Sequence, residues 1–194
     1  MSRRRAAPRM RGRLFVISGP SGGGKTTVMS RVLRVMPRLV RSVSVTTRSK
    51  RAGERAGRDY HFVSLATFQR LRRAGDLLEW ARVHGAYYGT PKRPILEALE
   101  AGRDAILSID VQGARQVRQA LGRRAVLAFL LPPSVAALRQ RLFRRRTDTP
   151  RAIERRLVVA RREIACARWY DYRVVNDHLD DAIARVKAIL TRRR

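Results

Sequence analysis

The sequence has one cysteine, few acidic residues and no long apolar run, and each shortage excludes a class of protein. The lone Cys166 excludes an internal disulfide and a cysteine-based metal cluster, so a reducing compartment fits the chain best. No stretch approaches the roughly 20 apolar residues that a membrane-spanning helix needs. Residues 1–13 contain arginine but not the apolar segment of a secretory signal. We therefore expect a cytoplasmic protein that does not associate with a membrane.

Acidic residues are scarce: 15 Asp and Glu stand against 44 Lys and Arg, giving a formal net charge of +29. Such a charge attracts polyanions, so composition alone indicates a phosphorylated partner without separating a nucleotide from a nucleic acid. The arginines are spread along the whole chain, which favours a solvated basic surface and, at most, non-specific nucleic-acid binding. Residues 1–12 are expected to be a disordered basic tail rather than an organelle transit peptide. The oligomeric state stays open.

Strand-like apolar runs alternate with segments of helical periodicity. The strand and helix pairs are 14–18 with 27–36, 104–110 with 112–121, and 125–131 with 135–143, followed by a strand at 172–175 and a helix at 180–190. This alternation predicts an α/β fold in which helices cover both faces of a parallel sheet.

Two segments interrupt the alternation. Residues 42–94 hold several glycines, short alternating runs and one short helix that begins at Ser64 and stops at Gly75, so we expect a small mixed insert. Residues 144–162 are strongly basic around a Thr-Asp-Thr-Pro turn, with little apolar material to bury. This composition predicts a surface flap.

Residues 19–26 read Gly-Pro-Ser-Gly-Gly-Gly-Lys-Thr, after a strand and before a helix, which is the context of a phosphate-binding P-loop. Glycines let backbone N–H groups point at phosphate oxygens, and the helix N-terminus adds positive potential. Lys25 supplies a charge for the β- and γ-phosphates, and Thr26 a hydroxyl for Mg²⁺. The predicted ATP-binding residues here are Gly19, Pro20, Ser21, Gly22, Gly23, Gly24, Lys25, Thr26 and Thr27.

The insert carries the groups expected at an acceptor site. Residues 42–60 concentrate hydroxyls and arginines, and the guanidinium fork matches phosphate oxygens. Guanine presents adjacent N1–H and NH₂ donors, and one carboxylate accepts from both. Glu79 is therefore a candidate reader of guanine, with Tyr87, Tyr88 and Thr90 following on the next segment.

With these residues the chain resembles guanylate kinase from residue 13 to about residue 190. Six stretches fall in the family's order: Gly-Pro-Ser-Gly-Gly-Gly-Lys-Thr-Thr, Thr-Thr-Arg-Ser-Lys-Arg-Ala-Gly-Glu, Gly-Arg-Asp-Tyr, Tyr-Tyr-Gly-Thr, Ile-Asp-Val-Gln-Gly and Val-Val-Asn-Asp. The resemblance implies transfer of the ATP γ-phosphoryl group to GMP or dGMP in purine nucleotide metabolism. It also implies a three-layer P-loop NTPase fold with a core at 13–41, 95–135 and 167–194, a GMP-binding insert at 42–94 and a helical lid at 136–166.

The resemblance assigns roles residue by residue. The implied catalytic residues are Lys25, Arg51, Arg145 and Arg156. The implied GMP-binding residues are Ser44, Arg48, Arg51, Tyr60, Glu79, Tyr88, Thr90 and Asp110. Asn176 and Asp177 match the adenine-side contact, and the implied Mg²⁺ contacts are Thr26, with ATP, and Asp110, through water.

Some residues depart from the family's pattern. Ser108 stands where the family commonly has an acid two positions before Asp110, and Arg144 and Arg146 flank Arg145. Two rival functions remain to be weighed. A kinase of phosphorylated ribose would need no guanine reader, and a non-catalytic phosphopeptide-binding module usually has a degraded P-loop, whereas Lys25 is intact here.

Overall fold

The computed structural model describes residues 12–83, 85–144 and 149–192. Its strands are β1 Leu14–Ser18, β2 Val40–Arg41, β3 Val45–Thr46, β4 His61–Phe62, β5 Leu77–Val83, β6 Ala86–Pro91, β7 Ala105–Ser108, β8 Ala125–Leu131 and β9 Tyr172–Val175. Its α-helices are α1 Lys25–Val35, α2 Leu65–Arg73, α3 Lys92–Glu100, α4 Val111–Leu121, α5 Val135–Arg144, α6 Pro150–Ala165 and α7 Leu179–Thr191, with 3₁₀ turns at Gly122–Arg124 and Cys166–Trp169.

The larger sheet is parallel, with strand order β2-β7-β1-β8-β9. Every residue of β1 is buried, as expected for a central parallel strand covered on both faces. One face of the sheet packs against α3 and α4, and the opposite face packs against α1 and α7. The predicted α/β architecture is therefore confirmed.

The smaller sheet forms the mixed insert that the glycine-rich segment predicted, with strand order β4-β3-β6-β5. Strands β5 and β6 are antiparallel, β6 is antiparallel to β3, and β3 is parallel to β4. The predicted start of α2 is confirmed, because the Ser64 hydroxyl accepts a hydrogen bond from the Thr67 N–H. The side-chain amide of Gln116 in α4 pairs with the backbone of Trp80 in β5, donating to its carbonyl and accepting from its N–H, which fixes the small sheet beside the large one.

The helices α5 and α6 form a third packed unit, and the expectation that this segment has little apolar material to bury is wrong. Ile153, Leu157 and Ala160 lie along one stripe of α6 and pack against Leu138 and Leu142 of α5. The stripe follows the spacing of a surface helix, although arginines surround it in sequence. The described stretches Val135–Arg144 and Pro150–Ala165 are thus helical, as the family resemblance implied. Across the described part of the chain, no helix is both long and apolar enough to span a membrane.

Candidate active site

The P-loop connects the carboxyl end of β1 to the first turn of α1. Gly22 and Gly24 have φ angles of 88° and 92°, a left-handed conformation that glycine adopts without steric cost. The Lys25 ammonium donates to the carbonyl oxygens of Gly19 at 2.5 Å and Pro20 at 3.1 Å. The lysine ammonium is therefore held against the loop, and its contact with the ATP phosphates stays a prediction.

Asn176 holds the P-loop in place through a hydrogen bond to its backbone. This buried residue, 5% exposed, follows β9, and its side-chain amide donates to the Gly23 carbonyl at 2.9 Å. A Cβ atom on Gly24 would lie 2.3 Å from the same amide nitrogen, so only glycine fits there. The backbone carbonyl of Asn176 accepts a hydrogen bond from the Arg141 guanidinium of α5 at 2.8 Å. The structure thus gives Asn176 a bracing role that sequence reasoning missed, and the adenine-side contact assigned to Asn176 and the exposed Asp177 stays a prediction.

Glu79 and Thr90 face each other across strands β5 and β6. The Thr90 hydroxyl donates to Glu79 Oε1 at 2.5 Å, and Glu79 is only 4% exposed. Burial raises the pKa of Glu79 to about 7, against the opposing effect of the Thr90 hydrogen bond, and the nearby Asp110 charge adds to the rise. A Cβ atom on Gly113 would lie 2.1 Å from Glu79 Oε2. Gly113 is therefore a site residue that local sequence reasoning did not identify.

Asp110 lies in the short connection between β7 and α4, and its side chain caps the N-terminus of α4. Its Oδ1 accepts from the N–H groups of Gln112 at 2.7 Å and Gly113 at 2.9 Å. This arrangement satisfies backbone donors that have no partner inside the helix. The Ser18 hydroxyl donates to the Asp110 carbonyl at 3.4 Å, which ties the segment to the end of β1. Asp110 is thus fixed in orientation next to the P-loop.

Arg48 is the centre of a polar cluster on the small sheet. It forms a two-pronged ion pair with Glu54, at 3.0 and 2.8 Å, and donates to the Tyr88 hydroxyl at 3.2 Å. Its guanidinium also lies 5.4 Å from the centre of the Tyr60 ring. The ion pair raises the pKa of Arg48 and lowers the pKa of Glu54, and the Glu54 carboxylate accepts from the Arg51 N–H as well. Glu54 therefore holds the Arg48 guanidinium and the Arg51 backbone, a role that sequence reasoning missed.

Two cavities bring these groups together. A cavity of about 350 Å³ is lined by the polar cluster around Arg48. An adjoining cavity of about 230 Å³ reaches the P-loop and Glu79. Both cavities are lined by Thr26, Ser44, Arg51, Tyr60, Tyr88 and Ser108. Arg156 of α6 lines the smaller cavity, whereas the predicted catalytic Arg145 lies outside the described residues. The fold thus assembles one cleft from the P-loop, the small sheet and α6.

The donor set suits Mg²⁺ held through a nucleotide rather than by a protein cage. Thr26 and Asp110 both line the smaller cavity, and they supply a hydroxyl and a carboxylate. Within residues 12–83, 85–144 and 149–192, no group of three or more His, Cys, Asp or Glu side chains is arranged to hold a metal ion. Mg²⁺ keeps several waters and commonly binds through substrate phosphates plus one or two protein groups, so these residues fit it.

Comparisons with known proteins agree on one family. The family model described as guanylate kinase matches residues 11–193. The guanylate kinase of Gloeobacter violaceus is 51% identical over 178 residues, covering 92% of this chain and 86% of that protein. The guanylate kinase of Carboxydothermus hydrogenoformans is 45% identical over 181 residues, covering 93% of this chain and 88% of that protein. The crystal structure of guanylate kinase from Anaplasma phagocytophilum superposes with a TM-score of 0.79 at 34% identity, covering 94% of this chain and 86% of that one.

Proposed function

This chain belongs to the guanylate kinase family of nucleoside monophosphate kinases, and we propose that its cleft is where the ATP γ-phosphoryl group passes to GMP. The observation that carries the proposal is the buried Glu79, paired with Thr90 in a cavity that also contains Lys25 of the P-loop. A carboxylate at this position accepts from the two donors on the guanine edge, which adenine does not present. A ribose-phosphate kinase would not need Glu79 and Thr90, because its substrate has no base to recognise.

The acceptor phosphate is held by the polar cluster on the small sheet. Arg48 and Arg51 supply positive charge, and the Tyr60 and Tyr88 hydroxyls supply neutral donors. The ion pair with Glu54 keeps Arg48 in a fixed orientation before the substrate arrives. Because the GMP phosphate is largely ionised near neutral pH, it needs no general base to attack. Catalysis therefore depends on alignment and on charge neutralisation.

The donor phosphates bind the P-loop backbone, with Lys25 facing the β- and γ-phosphates. Thr26 and, through water, Asp110 would hold the Mg²⁺ that binds with ATP, and the ion would supply positive charge against the negative charge of the phosphates. Arg156 enters from α6 to offset the negative charge of the transferring group. Arg145 has the same proposed role by its resemblance to the family.

We assign the structural units accordingly. Residues 42–94 form the GMP-binding unit, residues 136–166 form the lid, and residues 13–41, 95–135 and 167–194 form the core. No guanine or phosphate contact in this proposal involves the ribose 2′-hydroxyl, so dGMP is included as a substrate. The cytoplasm is the proposed location, supported by the single cysteine and by the nucleotide substrates.

Steady-state kinetics of Lys25→Ala and Glu79→Ala test these roles. Lys25→Ala should lower kcat by about 100-fold or more while the KM for GMP changes less than about 3-fold, because the lysine acts on the transition state. Glu79→Ala should lower the preference for GMP over AMP by about 10-fold or more. Glu154→Ala, in an exposed residue of α6, is the control and should match the wild type. Unchanged discrimination in Glu79→Ala would remove Glu79 as the guanine reader.

A further inference from the structure

Glu163 lies in the cleft but has no part in the mechanism above. It belongs to the last turn of α6, at the end that leads through the turn Cys166–Trp169 into the core. Its partly buried side chain lines the smaller cavity together with Ser21, Lys25, Asp110 and Arg156. An acidic group inside a cavity built for phosphates needs a structural or functional reason.

The contacts of Glu163 point to the P-loop. Its carboxylate faces the Ser21 backbone N–H, in the turn that precedes Lys25, and all three residues line the same cavity. Burial raises the pKa of Glu163, the Lys25 ammonium opposes that rise, and the Asp110 carboxylate adds to it. The other acid of α6, Glu154, instead forms an exposed ion pair with Arg139 of α5. Glu163 is thus the acid of this helix that faces the phosphate-binding loop.

The position of Glu163 along α6 links it to a proposed catalytic group. Arg156 precedes it by seven residues, which is about two helical turns and about 10 Å along one face. Ile153, Leu157 and Ala160 pack α6 against α5, so the two helices share one core. Because the helix is rigid, fixing its core end at Ser21 restricts where Arg156 points.

We propose that Glu163 is a positioning residue that ties the core end of the lid helix to the tip of the P-loop and thereby places Arg156 over the transferring phosphoryl group. The kinetic part of this inference rests on the proposed function of the cleft. The tie itself is a property of the folded chain and is measured without substrate.

The direct test is the Ser21 amide signal in ¹⁵N-resolved NMR of the full chain without nucleotide. In the wild type, the Ser21 amide shift should follow the titration of Glu163. Glu163→Gln keeps an acceptor oxygen but not the charge, so protection from hydrogen exchange should persist while the pH dependence disappears. Glu163→Ala removes both and should speed Ser21 exchange by about 10-fold, the effect of losing about 1.4 kcal/mol of hydrogen bonding. Glu154→Gln is the matched control and should leave Ser21 unchanged.

Kinetics then test the consequence for catalysis. Glu163→Ala should lower kcat by about 10-fold or more with the KM for GMP within about 2-fold, because misplacing a charge-neutralising arginine affects the transition state. Glu163→Gln should recover part of that loss. Circular dichroism checks folding, and if Glu163→Ala does not fold, Glu163→Gln carries the test through its lost pH dependence.

Unchanged Ser21 exchange in Glu163→Ala, or a Ser21 signal in Glu163→Gln that still titrates as in the wild type, would overturn the tie. A wild-type kcat in folded Glu163→Ala would overturn the positioning role. If the wild type itself did not phosphorylate GMP, the proposed function would fail, whereas the Ser21 measurement would still report on the tie.

Discussion

Replacing Glu79 by glutamine should make the protein more stable and less active, and the gain in stability should depend on pH. Glu79 is 4% exposed, and burial raises its pKa from an ordinary 4.5 to about 7. Between those two values the unfolded chain has released this proton while the folded chain still holds it. The free energy of unfolding of the wild type therefore falls as the pH rises from 4.5 through 7, and the full cost of the buried charge is present above pH 7.

The size of the effect follows from the pKa difference. At about 1.4 kcal/mol for each pKa unit, the rise from 4.5 to about 7 corresponds to about 3 kcal/mol. Glutamine has the same shape, keeps an oxygen for the Thr90 hydroxyl and never ionises. Between pH 5 and pH 8, the stability advantage of Glu79→Gln over the wild type should grow by about 2 to 3 kcal/mol.

Urea unfolding at pH 5, 6, 7 and 8 measures this difference, with Glu154→Gln as an exposed control that should show no such trend. Comparing each variant with the wild type at the same pH cancels the general effect of the +29 charge. The kcat/KM for GMP should fall by about 100-fold or more, because the amide presents a donor where guanine also presents one. A stability difference that is the same at pH 5 and pH 8 would refute the argument that burial raises this pKa.

Three further substitutions test other parts of the cleft. Arg48→Lys should raise the KM for GMP by about 10-fold, because an ammonium cannot hold Glu54 in two-pronged geometry while facing a phosphate; an unchanged KM in steady-state assays would contradict this. Gly113→Ala should lower the free energy of unfolding by about 1 to 3 kcal/mol and weaken GMP binding, since its methyl group would lie 2.1 Å from Glu79 Oε2. Urea unfolding and GMP titration check both effects. Wild-type values in both would contradict the prediction and show that Glu79 moves away from the added methyl group. Asn176→Ala should raise the KM for ATP and cost about 1 to 3 kcal/mol, since it removes a buried hydrogen bond to the P-loop; a KM that rises for GMP alone would place its role elsewhere.

The core strands could be predicted from sequence because their signal is local. Strands β1, β8 and β9 occupy the predicted ranges, since buried parallel strands read as continuous apolar runs. Strands β2 and β3 have two residues each, too few to show periodicity. Helix α3 was not predicted; its Pro94 lies in the first turn, where the absent N–H costs no intrahelical hydrogen bond.

The site residues also fall into those that local sequence predicts and those that only the folded chain brings together. The P-loop is contiguous in sequence, so its spacing and its strand–helix context predicted its conformation. Glu54, Gly113 and Glu163 gain their roles from contacts that only the folded chain provides. Gly113 lies in the recognised stretch Ile-Asp-Val-Gln-Gly, yet nothing in that stretch indicates that Glu79 approaches it. The apolar stripe of α6 could have been found by counting every third and fourth residue, but arginines are interspersed along the helix and hide it.

The most direct test of the central claim is an ADP-release assay of the wild type with ATP and Mg²⁺, offering GMP, dGMP, AMP, CMP, UMP and ribose phosphates in parallel, with Lys25→Ala as the background. The cleft built around Glu79 predicts rapid turnover confined to GMP and dGMP. Turnover with a ribose phosphate, or no turnover by a folded protein that still binds nucleotide, would contradict it.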